Sequence, residues 1–197
     1  MKKSILIIAS ACAAAAFFGG CQSCNGKAAN YDALNDMLAL NYSGFTLTVT
    51  DTFDAETSLK SVYEIEYSAN GATVKYSIER FEEISLGTSV SSAKVTLEGV
   101  AVIKDGAVVS VDGDDVNISA DVVNTGLNFK EEYFENADFT DAYFKADVKN
   151  VSGFMGSDVQ CADMKVHAVY AGSFSDIKIN YSVQGTGTVE IKYVFEK

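Results

Sequence analysis

From Gly44 onward the apolar residues of this chain fall on every second position, and before it they do not. Tyr31, Leu34, Leu38 and Tyr42 recur at helical spacing with Met37 beside them and Asn30 placed to cap, which predicts one amphipathic helix over about residues 30–42. Period two then begins with Phe45, Leu47 and Val49 between threonines. It returns through Tyr63–Tyr67, Val74–Ile78, Val95–Leu97, Val116–Val122, Phe144–Val148, Met164–Tyr170, Ile177–Val183 and Val189–Phe195. Each run reads as a half-buried strand, because successive side chains of a strand point to opposite faces.

The turns predict antiparallel pairing. Asn70-Gly71 and Asp105-Gly106 combine residues that tolerate positive φ, and Gln184-Gly185-Thr186-Gly187 is a looser version. Val100–Ile103 and Ala107–Val111 are apolar on both registers, which predicts a hairpin covered on its second face. Lys130–Asp141 breaks the alternation with acidic residues and reads as a helical turn or long connection. The chain has no proline, where average usage would give roughly ten, so no strand is interrupted by one. Several hairpin arms run to eight or ten residues, beyond the usual five or six. The expected fold is mainly β: a long antiparallel meander forming a curved sheet or incomplete barrel with the N-terminal helix packed on it. A β-sandwich is the alternative.

The first thirty residues change the picture. Lys2 and Lys3 precede a 14-residue apolar stretch, Ile5–Phe18, which has the length of a signal h-region and is short for a membrane-spanning helix. Phe18-Gly19-Gly20-Cys21 follows and resembles the lipobox of bacterial lipoproteins, with Phe where leucine is commonest. The resemblance implies cleavage between Gly20 and Cys21 and acylation of Cys21. A plain secretory signal cut after Ala14-Ala15-Ala16 and an uncleaved anchor are the rivals. The domains expected are a signal peptide (1–20), the lipidated cysteine with a polar tether (21–29) and a single β-rich domain (30–197). The implied location is extracytoplasmic, held to a membrane by acyl chains on Cys21.

Loss of Lys2 and Lys3 with the signal would take the formal charge from −12 to −14, and no basic cluster remains. Nucleic acid and anionic headgroups are therefore not expected partners. An anchor cysteine, a short tether, an amphipathic helix and a long antiparallel meander together resemble the LolA/LolB-like lipoproteins. That resemblance implies an incomplete barrel plugged by helices, with an apolar hollow that accepts acyl chains. Leu34 and Leu38 of the helix, with Tyr63, Tyr67, Tyr76, Phe129, Phe144, Tyr170, Tyr181 and Tyr193 on the apolar register, are the candidates to line such a hollow or to fill an ordinary core.

The catalytic inventory is thin. His167 is the only histidine and lies opposite the apolar register of its strand, where a solvated residue is expected. Ser91-x-x-Lys94 and Ser175-x-x-Lys178 would place their side chains on opposite faces of a strand. Asp112-Gly113-Asp114-Asp115 lacks the glycine and glutamate spacing of a calcium loop, and Glu131, Glu132, Glu135, Asp138 and Asp141 read as a solvated face. Cys24 and Cys161 are the two thiols left to pair, one of them in the tether. No enzyme, metal or cofactor is expected. Two functions remain: a membrane-anchored carrier of a lipid or other apolar ligand, and a structural or interaction module with an envelope protein partner.

Overall fold

The computed structural model describes residues 30–54, 56–86, 89–183 and 187–197. The expected signal segment, Gly20, Cys21 and the expected tether with Cys24 lie outside the described residues, as do Gln184, Gly185 and Thr186 of the looser turn. Strands make up 61% of the structure, against the usual quarter, and ten of them form one antiparallel sheet that does not close into a barrel. The strands are β1 (Gly44–Thr52), β2 (Ser58–Ser68), β3 (Gly71–Leu86), β4 (Ser89–Lys104) and β5 (Ala107–Gly113), then β6 (Phe134–Phe139), β7 (Tyr143–Val148), β8 (Ala162–Tyr170), β9 (Phe174–Val183) and β10 (Gly187–Glu196). A single hydrogen-bonded sheet takes the place of the two-layer sandwich.

The order across the sheet is β5-β4-β3-β2-β1-β10-β9-β8-β7-β6. The first and last strands therefore pair in the middle, Phe45 opposite Phe195 and Val49 opposite Ile191. The edges, β5 and β6, are successive in the chain, so residues 114–133 must travel the full width of the sheet. They do so across its inward face, where the predicted apolar register is buried: Phe45, Ile65, Val74, Val166, Ile177 and Ile179. Ile118, Val122, Leu127 and Phe129 of the crossing segment join the same core.

Helix α1 (Tyr31–Leu38) starts where expected, with Asn30 Oδ1 accepting the Ala33 N–H at 2.9 Å. It stops four residues early because Tyr42 is drawn to the sheet: its hydroxyl donates to Met37 O and accepts the Phe174 N–H. A five-residue helix, α2 (Val151–Met155), was not foreseen. Its signals are Asn150, whose side chain caps Gly153 N, and Gly156 in the left-handed region at φ +66°.

Four sequence expectations are corrected. Val116–Val122 forms no strand; it is an unpaired segment ending in a 3-10 turn, Ala120–Val123, and its alternation arises because it lies on a buried surface. Residues 130–141 hold the expected helical turn, a 3-10 turn over Glu131–Tyr133, but then enter an edge strand, β6, whose register is broken at Asn136, a bulge with φ +51°. Asp105-Gly106 is the predicted two-residue turn, with both residues at positive φ, but in the other hairpin the turn residues are Ala69 and Asn70. Gly71 there is already paired, and at φ +152° a Cβ on it would lie 2.0 Å from Ile103 O. Close approach of β4, rather than turn geometry, demands that glycine. Last, the β4–β5 hairpin is not covered on both faces: Val100, Val109 and Val111 are 36%, 56% and 42% exposed.

Candidate functional site

Three tyrosines from the middle of the sheet guide the crossing segment. Tyr76 of β3, Tyr67 of β2 and Tyr193 of β10 donate their hydroxyls to Asp114 O (2.8 Å), Val123 O (2.6 Å) and Thr125 O (3.3 Å). Each bond satisfies a carbonyl that has no ladder partner, which lets non-repetitive backbone lie against a sheet. Tyr67 is 42% exposed, yet desolvation raises its hydroxyl to about 12, so the donor stays protonated well above neutral pH. Burial raises the Tyr193 hydroxyl as well, with the same consequence.

Helix α1 is pinned to the end of this segment. Asn35 Nδ2 donates to Phe129 O at 2.7 Å and Oδ1 accepts Phe129 N–H at 2.9 Å, so one side chain pairs with a backbone as a neighbouring strand would. On the other side, Asn128 N–H donates to Phe154 O of α2 at 2.9 Å. Gly126 and Gly156 are both left-handed, and a Cβ on Gly156 would sit 2.9 Å from Gly126 O. The two chains approach at backbone distance.

Between α1, the crossing segment and the sheet lies an open cleft of about 930 Å³. Its floor is aromatic: Tyr42, Phe195, Phe45 and Tyr67 follow one another with ring centroids 4.8, 6.0 and 6.2 Å apart. Leu38, Leu40 and Asn41 form one wall, Val123 to Asn128 the other, and Ser152, Gly153 and Gly156 close the end. Leu40, 39% exposed, and Tyr67 present the open apolar surface. None of the seventeen lining residues carries a charge. A smaller depression of about 510 Å³, over β1, β8, β9 and β10, differs in including Asp163, Lys165 and Glu190.

Of the ten side chains expected to line a hollow, the structure brings Leu38 and Tyr67 to the cleft. Leu34, Tyr76, Phe129, Phe144, Tyr170 and Tyr193 are buried in the core beneath and beside it. Tyr63 and Tyr181 are half-buried farther along the inward face, Tyr181 beside Asp51, whose carboxyl is raised above its usual range by burial. The space behind the helix is therefore filled by Leu34 and by the crossing segment's own Phe129, and the opening lies to one side. Asn35, Asn41, Thr125 and Asn128 were not anticipated. The latter three lie in loops, where no period reports orientation; Asn35 lies on the helix, and its bond to Phe129 spans 94 residues.

His167 sits opposite the buried register of β8, edge-on to Tyr143 at 5.9 Å, and Cys161 is a half-buried thiol raised by desolvation. Among the described residues no group of three or more His, Cys, Asp or Glu side chains is placed to hold a metal, and no helix is long and apolar enough to cross a membrane. No protein-family model matches the chain, and no curated protein is significantly similar to it.

Proposed function

We propose that this chain is a membrane-anchored bacterial lipoprotein that binds a lipid or other apolar ligand and performs no catalysis. The observation that carries the reading is the aromatic-floored cleft that opens beside the helix. Its volume falls in the range of small-molecule sites, roughly 300–1,000 Å³. Burying a ten-carbon chain there is worth about 8 kcal/mol before ordering costs, enough for micromolar binding without a charged contact. Tyrosines are the only titratable side chains in the lining, which supports binding over acid–base chemistry.

The anchor half of the proposal rests on Phe18-Gly19-Gly20-Cys21. Cys21→Ser should abolish incorporation of labelled palmitate and move the protein out of the membrane fraction; palmitate retained in that variant would refute it. For the ligand half, native mass spectrometry of the protein taken from its own membrane should show a bound species, and Leu38→Arg should remove it while the circular dichroism spectrum is kept. Protein with no bound species, and no binding across a broad panel of lipids, would end the carrier reading.

A second reading, an interaction module for an envelope protein, is favoured by the β5 edge. Val109 and Val111 stand exposed on a strand with one unpaired side, a surface suited to strand addition. Val109→Lys should then release the partner and leave ligand binding intact.

A further inference from the structure

We infer that the ligand is an uncharged amphiphile: an apolar chain ending in a hydroxyl- or amide-bearing head. The inference rests on the reading of the cleft as the ligand site and names what that site selects. Charged residues are 21% of the chain, so seventeen residues drawn at random would include about three or four, and the lining includes none. The depression over β8–β10, with Asp163, Lys165 and Glu190, shows that this neutrality is local.

Polar capacity is nevertheless present. The side chains of Asn41 and Asn124, which are exposed, and of half-buried Asn128 make no hydrogen bond within the described residues, whereas those of Asn30, Asn35, Asn136 and Asn150 each make at least one. An amide offers a donor and an acceptor together, which matches a hydroxyl or amide and gives no preference to either ionic sign. A carboxylate or phosphate entering the cleft would shed water without meeting a cation, in a protein whose formal charge is −12. An ammonium head would meet no carboxylate there. A bare hydrocarbon would draw on the aromatic floor and use none of the three amides. The match is a neutral head over an apolar tail.

The test uses the full-length protein in phosphatidylcholine nanodiscs and three photoactivatable probes that share one diazirine-bearing alkyl chain. One ends in a glycerol monoester, one in a carboxylate and one in a quaternary ammonium. Labelled positions are mapped by mass spectrometry and normalised to labelling of the nanodisc scaffold. The neutral probe should label the cleft, at residues such as Leu40 and Tyr67, about tenfold more than either charged probe, the cost of desolvating an unpaired charge. Asn124 is exposed, so Asn124→Lys keeps the fold, and it should raise carboxylate labelling to the neutral level or above. Equal labelling of the cleft by all three probes, a preference for a charged one, or an unchanged ratio in Asn124→Lys would overturn the inference and leave the cleft a ligand site. Absence of cleft labelling by every probe would overturn both.

Discussion

Replacing Asn35 with alanine sets two physical effects of opposite sign against each other. Alanine is the better helix former by about 0.5 kcal/mol, so an isolated α1 would gain from the change. In the folded protein the substitution strips two hydrogen bonds, at 2.7 and 2.9 Å, from the backbone of Phe129. Phe129 is 1% exposed, so water cannot readily replace them, and each orphaned group costs about 1–3 kcal/mol. The net expectation is a loss of about 2–5 kcal/mol, or a fall in Tm of roughly 5–15 °C for a domain of this size. Urea unfolding followed by circular dichroism measures it, with Asp36→Ala, on the exposed side of the same helix, as the control within about 0.5 kcal/mol. Asn35→Asp retains the acceptor for Phe129 N–H but sets a carboxylate oxygen against Phe129 O, and at pH 7 should be no more stable than Asn35→Ala. An Asn35→Ala protein as stable as the parent would show that apolar contacts of Leu34 alone hold the helix, and the pairing argument would be wrong.

Other consequences are open to the same measurement. Ile65 is 2% exposed while Glu66 is exposed, so Ile65→Asp should cost several kcal/mol, about 3 or more, and Glu66→Ala less than about 0.5; equal losses would mean the register of β2 is misread. Gly71→Ala should cost about 2–4 kcal/mol, since its Cβ would meet Ile103 O and its φ is unsuited to an L side chain, and an unchanged urea midpoint would refute the close approach. Burial raises the Asp51 carboxyl, so the folded state binds this proton more tightly than the unfolded chain. That contribution is complete below the ordinary carboxylate range, near pH 4, and is lost as pH rises through the folded value. Asp51→Asn should therefore stabilise at pH 7 and have little effect near pH 3; the reverse pattern would place Asp51 in a favourable ionic setting instead.

What the chain states locally can be read locally. Asn30 caps a helix because its side chain reaches an amide three residues away, and Asp105-Gly106 turns because both residues accept positive φ. The alternation from Phe45 to Phe195 assigns one face of each strand to the core, and burial follows it at Ile65, Val74, Val166 and Ile177. Where the same reasoning failed, a surface had imposed the pattern. Val116–Val122 alternates because it lies on the sheet, and Gly71 is a glycine because a neighbouring strand passes at backbone distance.

Strand order was beyond that reach. An alternating strand pairs equally well with any other, so nothing in β1 or β10 alone says that residues about 150 positions apart lie side by side. Once they do, the edges β5 and β6 must be joined across the inward face, and residues 114–133 fill the space that a simple meander would leave hollow. The cleft is a product of that packing. Leu38, Phe45, Tyr67, Asn128 and Phe195 come from five separate stretches of chain and share no motif, and its neutrality appears only when they stand together. The sequence by itself determined which side chains seek the interior, because burial of apolar surface depends on residue type and period. Tertiary structure alone decided which of them meet and where the packing leaves an opening, because those depend on contacts whose partners are distant in the chain.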